Sequence, residues 1–162
     1  MNRSLLALSL CALLAACGDG RKPPAAPPAP SARTGGADAV SEAAGSYEVR
    51  AGFSPASVAR GGASTLAIEI VMRRPDVHVQ SEFPLRVSLA PSAGLVPAKA
   101  SLGHADALDP AAKGRRWEIA TNATAAGAQG VTASLRFAIC KEAEPAWCVT
   151  RNETLTAALD VR

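Results

Sequence analysis

Two cysteines close to the end of the chain, Cys140 and Cys148 in the stretch "FAICKEAEPAWC", are the residues whose type and spacing bear most directly on chemistry. Thiols at the two ends of a short, charged, proline-containing loop can do one of two things. They can close a disulfide that staples the loop, or they can exchange electrons with the thiols of another protein. As a staple, so short a closed loop stabilises a fold by roughly 2 to 3 kcal/mol in the chain-entropy picture. Exchange needs sulfurs that a partner thiolate can reach and surroundings that tune the thiolate. Lys141 next to Cys140 favours a thiolate, whereas Glu142 and Glu144 disfavour it. Trp147 beside Cys148 and Phe137 before Ile139 are the candidate shields of the sulfurs. These residues alone leave both readings open.

The other two cysteines, Cys11 and Cys17, lie in "MNRSLLALSLCALLAAC". A basic start at Arg3 and an apolar run from Leu5 to Leu14 have the length of a signal-peptide core and are too short to span a bilayer. The run ends in Leu14, Ala15, Ala16 and Cys17, which resembles the bacterial lipobox. That resemblance implies a signal peptide over 1–16, removed by processing, and lipidation of Cys17 as the new first residue. Each buried acyl methylene contributes about 0.8 kcal/mol, so two or three chains would anchor the protein at a membrane. Gly18 after the lipidated cysteine implies the outer membrane, facing the periplasm, as the location within the cell envelope. In that oxidising compartment Cys140 and Cys148 are the remaining pair, and they are expected to form a disulfide.

Residues 17–45 are rich in Pro, Ala, Gly and Ser and carry almost no large apolar side chains, so they are expected to form a linker without a core. Extended, such a segment reaches on the order of 80 Å. The formal charge of +3 on 162 residues is too small to imply a polyanionic partner, and no nucleic-acid binding is expected. From residue 46 to 162 the apolar residues alternate. Tyr47, Val49, Ala51 and Phe53 do so first, then Leu66, Ile68, Ile70 and Met72, then Leu85, Val87 and Leu89. Trp117 and Ile119 follow, then Val131 through Ile139 at odd positions, then Leu155 through Val161. Period two in six or more segments, punctuated by Gly, Pro, Asn and Asp, predicts an all-β domain, an immunoglobulin-like antiparallel β-sandwich. The same parity places Cys140 and Cys148, both even-numbered, on the outward face of a hairpin. The segment 98–114 fits no period and reads as an irregular connection.

The pairing of "DVHVQSEFPLRVSL", Asp76 to Leu89, with the late "GVTASLRFAICKEAEPAWCVTRNETLTAALDV", Gly130 to Val161, resembles the amino-terminal domain of the DsbD family of thiol:disulfide interchange proteins. That resemblance implies a periplasmic immunoglobulin-like domain that relays electrons, with Cys140 and Cys148 as its redox pair. It also implies a thioredoxin-like protein or a membrane electron carrier as partner, because the chain carries neither of those family modules. The loop between the cysteines is longer than in that family. The alternative is a non-enzymatic binding or scaffolding lipoprotein whose disulfide is purely structural.

His78 and His104 have no second His or Cys at ligand spacing, so neither a metal nor another cofactor is expected. Asp106 and Asp109 read as solvated loop acids rather than a catalytic pair. Arg73, Arg74, Lys113, Arg115 and Arg116 lack interleaved aromatic residues and are expected to face solvent.

Overall fold

In the computed structural model, residues 37–162 are described, and within them the chain folds as a two-layer all-β sandwich. The elements run in the order α1 (Ala37–Gly45), β1 (Tyr47–Ser54), β2 (Ser57–Val58), β3 (Ala63–Met72), β4 (Val77–Val79), β5 (Arg86–Pro91), β6 (Leu95–Pro97), β7 (Ser101–Leu102), β8 (Arg115–Ala123), β9 (Gly127–Lys141) and β10 (Trp147–Val161). One sheet has the order β1-β3-β8-β6. The other has the order β2-β10-β9-β5-β7, with β4 also paired to β9. All pairs are antiparallel except β10 with β2. This architecture is compatible with the immunoglobulin-like arrangement read from the sequence.

Alternation sets the core, because successive side chains of a strand point to opposite faces. In β8 every odd residue from Arg115 to Ala123 is buried and every even one exposed. Leu66, Ile68, Ile70, Trp117 and Ile119 from one sheet meet Val131, Leu135, Phe137, Ile139, Leu159 and Val161 from the other in a single apolar cluster. Full burial of such a side chain contributes about 1.5 to 3 kcal/mol, which makes this layer the main source of stability. Two glycines permit the backbone path. Gly127 opens β9 at φ 100°, a left-handed conformation that side chains other than glycine's disfavour. At Gly114 a Cβ would lie 2.3 Å from the Ile70 carbonyl oxygen, so only glycine lets the chain enter β8 this close to β3.

The linker expected through residue 45 differs in its last nine residues, which form α1. Ala-rich "ADAVSEAAG" has high helix propensity, Asp38 favours the first turn and Gly45 ends the helix. Ser46 then closes the end, its hydroxyl donating to the Glu42 carbonyl oxygen at 2.7 Å and its amide to that of Ala43 at 3.0 Å. Ala43 is fully buried, so this end of the segment belongs to the domain. No helix was expected because the anchoring side chains are small, leaving no apolar stripe to read.

Tyr47, the first residue of β1, ties that strand to the opposite sheet. Its ring meets Phe137 edge-on at 5.5 Å and 90°. Its hydroxyl donates to the Glu153 carboxylate and accepts from Arg151 Nε at 2.7 Å. Burial first, and then the neighbouring Glu153 carboxylate, push its pKa from 10 up to about 12. A raised folded-state pKa means that the stabilisation is fully present below the ordinary phenol value and fades as pH climbs toward the folded one. The chain has one tyrosine, so ultraviolet titration of the phenol reports Tyr47 alone. The expected midpoint is near 12 in the folded protein, and Glu153→Gln should lower it while burial still holds it above the ordinary value of 10.

Candidate functional site

The long hairpin of β9 and β10 delivers the two cysteines. Its register runs unbroken from Val161 opposite Gly127 to Trp147 opposite Lys141, and Cys148 stands directly across from Cys140. The sulfurs are bonded, with 4.1 Å between the two Cα atoms. Residues 142–146, which include Pro145, close the hairpin beyond them. The expected disulfide is closed, and its outward parity follows the alternation because no bulge interrupts the strands.

Accessibility departs from that expectation. Cys148 is exposed, but only 3% of Cys140 is. The cause is β4, which pairs with the other edge of β9 and sets His78 opposite Cys140. At this level Cys140 sits in a middle strand, with His78 on one side and Cys148 on the other. Several contacts pin the short strand β4. The Val79 amide donates to the Lys113 carbonyl at 2.7 Å, and the Gln80 amide donates to that of Ala138 at 2.9 Å. The Arg115 guanidinium donates to the carbonyl oxygens of Val79 (Nη2, 3.4 Å), Gly114 (Nη1, 2.6 Å) and Ala112. Arg115 Nε also donates to His104 Nδ1 at 3.3 Å, which leaves the imidazole proton on Nε2, 3.0 Å from the Phe83 carbonyl oxygen. The Phe83 ring lies 5.8 Å beneath the Arg136 guanidinium, so the segment after β4 is held along the same edge of β9. Burial lowers the pKa of Arg115, yet its position among carbonyl oxygens suits a cation.

The three residues expected to shield or tune the sulfurs are placed elsewhere. Phe137, Lys141 and Trp147 are odd-numbered and face the inner side of the hairpin, away from the disulfide. Phe137 is wholly in the core, against Tyr47. Trp147 Nε1 donates to Glu42 Oε2 at 2.9 Å, and Lys141 Nζ lies 3.1 Å from Glu42 Oε1. Arg74 Nη1 reaches the same Oε1 at 2.6 Å and grips Asp76 with its other nitrogens. The lysine charge is therefore spent on Glu42 rather than on a thiolate. The rung next to the disulfide is clamped from behind by α1.

The remaining candidates have structural employment. Asp106 pairs with Lys99 and accepts the Gly103 amide at 2.8 Å; Asp109 accepts that of Ala111 at 3.0 Å. Arg73 binds Glu48, and Arg116 binds Glu69 and Glu118. Arg115, expected at the surface, is 4% exposed because Gly114 draws the chain tightly over β3. No group of three or more His, Cys, Asp or Glu among the described residues is placed to hold a metal. Cys17, the signal peptide and the first part of the linker lie outside the described residues. No helix among the described residues is long and apolar enough to cross a membrane. The sequence reading missed Glu42 and the position of His78. For His78 a signal existed in the alternation of "VHV", but nothing in the sequence gave its partner strand. Compared with known proteins, the chain matches no family model and no curated protein.

Lys141, then Trp147, and also Arg74, hold the Glu42 carboxyl below its ordinary pKa of 4.5. A depressed carboxyl contributes stability present above the unfolded value and lost as pH falls through the folded one. The thermal unfolding midpoint of the wild-type chain should therefore fall in acid below pH 4.5, whereas Glu42→Gln, already less stable at neutral pH, should show less of that acid loss. Equal acid sensitivity in both proteins would mean that the clamp carries no linkage.

Proposed function

We propose that this protein is a lipid-anchored envelope protein whose domain exchanges its Cys140–Cys148 disulfide with the thiols of partner proteins. The observation that carries this reading is the asymmetry of the bond: an exposed Cys148 beside a covered Cys140. A partner thiolate attacks the accessible Cys148 Sγ in line with the disulfide. A new sulfur–sulfur bond forms to Cys148, the old one breaks, and its electron pair leaves on Cys140 as thiolate. A second thiol of the partner then attacks the mixed disulfide and releases Cys148, so two electrons pass from a partner dithiol to this domain. The reverse sequence hands them on. Burial of Cys140 limits attack to one side.

A thioredoxin-like protein or a membrane electron carrier fits this chemistry, as the DsbD-like strand and cysteine pattern suggests. Lipidation at Cys17 would hold the exchanging domain near such a carrier and restrict its diffusion to the membrane surface. One observation favours the competing reading of a binding or scaffolding lipoprotein with a structural disulfide. Glu42 already fastens the neighbouring rung, as it would in a hairpin built only to stay shut.

The reduction potential separates the two readings. Equilibrated against glutathione or dithiothreitol buffers, the Cys140–Cys148 pair of the full chain should have a potential between roughly −180 and −270 mV, the range of working exchangers. A potential below about −300 mV would mark a bond that cellular carriers leave alone and would overturn the exchange reading.

A further inference from the structure

The exchange step described above ends with a negative charge on Cys140, in a place that water scarcely reaches. Burial raises the free energy of a thiolate, and Lys141, the nearest cation in sequence, is bound to Glu42 on the opposite face. The outer face supplies a different group. His78 is the direct cross-strand partner of Cys140. Side chains of directly opposed residues share a face with their Cβ atoms about 4.5 to 5.5 Å apart. A His78 imidazole is therefore within reach of the sulfur on the side away from Cys148.

Resting on the exchange reading, we infer that His78 holds the Cys140 thiolate released on opening the disulfide and gives it a proton, taking that proton back when Cys140 attacks the mixed disulfide. The balance is complete: one proton moves from imidazolium to sulfur in one direction and returns in the other, while the electrons follow the sulfur–sulfur bonds. The side chain is about one quarter exposed (26%), so solvent reaches it, and its residue stands directly across the strand pair from Cys140. It lines a cleft of about 490 Å³ beside β4. The charged groups in that cleft are Glu142, Asp76, Lys113 and Arg115. Glu142 Oε1 lies 3.9 Å from His78 Nε2. Asp76 is engaged by Arg74, Lys113 by the Pro75 carbonyl, and Arg115 by backbone oxygens and His104. Across the β4 side of Cys140, His78 is thus the titratable group placed opposite it, with Glu142 as its acidic neighbour.

The test is the pH profile of Cys140 alkylation in the reduced full chain carrying Cys148→Ser, read by mass spectrometry of the Cys140 peptide so that other cysteines do not interfere. Adding His78→Gln should slow alkylation at neutral pH roughly fivefold and move the midpoint upward, as loss of a nearby cation does. His78→Lys, which keeps a cation at that position, should restore the rate. An unchanged or faster profile in His78→Gln, or no rescue by His78→Lys, overturns the inference. The readout needs no partner protein, so a structural reduction potential would sink the exchange reading without deciding the role of His78.

Discussion

The site depends on the uninterrupted register between β9 and β10. From Val161 opposite Gly127 to Trp147 opposite Lys141 no residue is skipped, so parity set by the core is carried the whole length of the hairpin. Val131, Leu135, Phe137 and Ile139 must face inward to bury, and that fixes Cys140 outward. Leu159 and Val161 do the same for Cys148. A slip of one residue would turn an apolar row into solvent and separate the sulfurs in the same movement. The apolar core and the disulfide are thus two consequences of one constraint.

The ends of this hairpin are used differently on their two faces. On the outer face lies the row of His78, Cys140 and Cys148, contributed by three neighbouring strands. On the inner face, one rung further along, Lys141 and Trp147 bind the carboxylate of Glu42. The helix that carries Glu42 packs onto the domain through the buried Ala43. Glu42 thus fastens the rung beside the disulfide although about a hundred residues separate it from Lys141 and Trp147 in the chain.

Most of the sandwich was legible because each of its long strands buries one face, and period two is the direct trace of that burial. β3, β8, β9 and β10 all follow the alternation that "TLAIEIVM", "RRWEIAT" and their counterparts display. Elements that bury little left little trace. α1 is anchored by alanines and one carboxylate, and β4 is three residues long. β4 nevertheless decides how much of Cys140 solvent can reach. Phe137, Lys141 and Trp147 were read as neighbours of the sulfurs because they are close in sequence. Their odd numbers, judged by the parity that placed the cysteines, assign them to the other face. The ion pairs of Glu42 join segments far apart in sequence, and no local pattern encodes them.

In the proposed exchange, unequal burial directs attack to one sulfur. It is tested most directly by exposing the oxidised full chain briefly to reduced glutathione, quenching in acid and locating the glutathione adduct by peptide mass spectrometry. The expected adduct is predominantly on Cys148, the exposed sulfur, with Cys140 recovered as the free thiol. Adducts distributed equally between the two, or found mainly on Cys140, would contradict it.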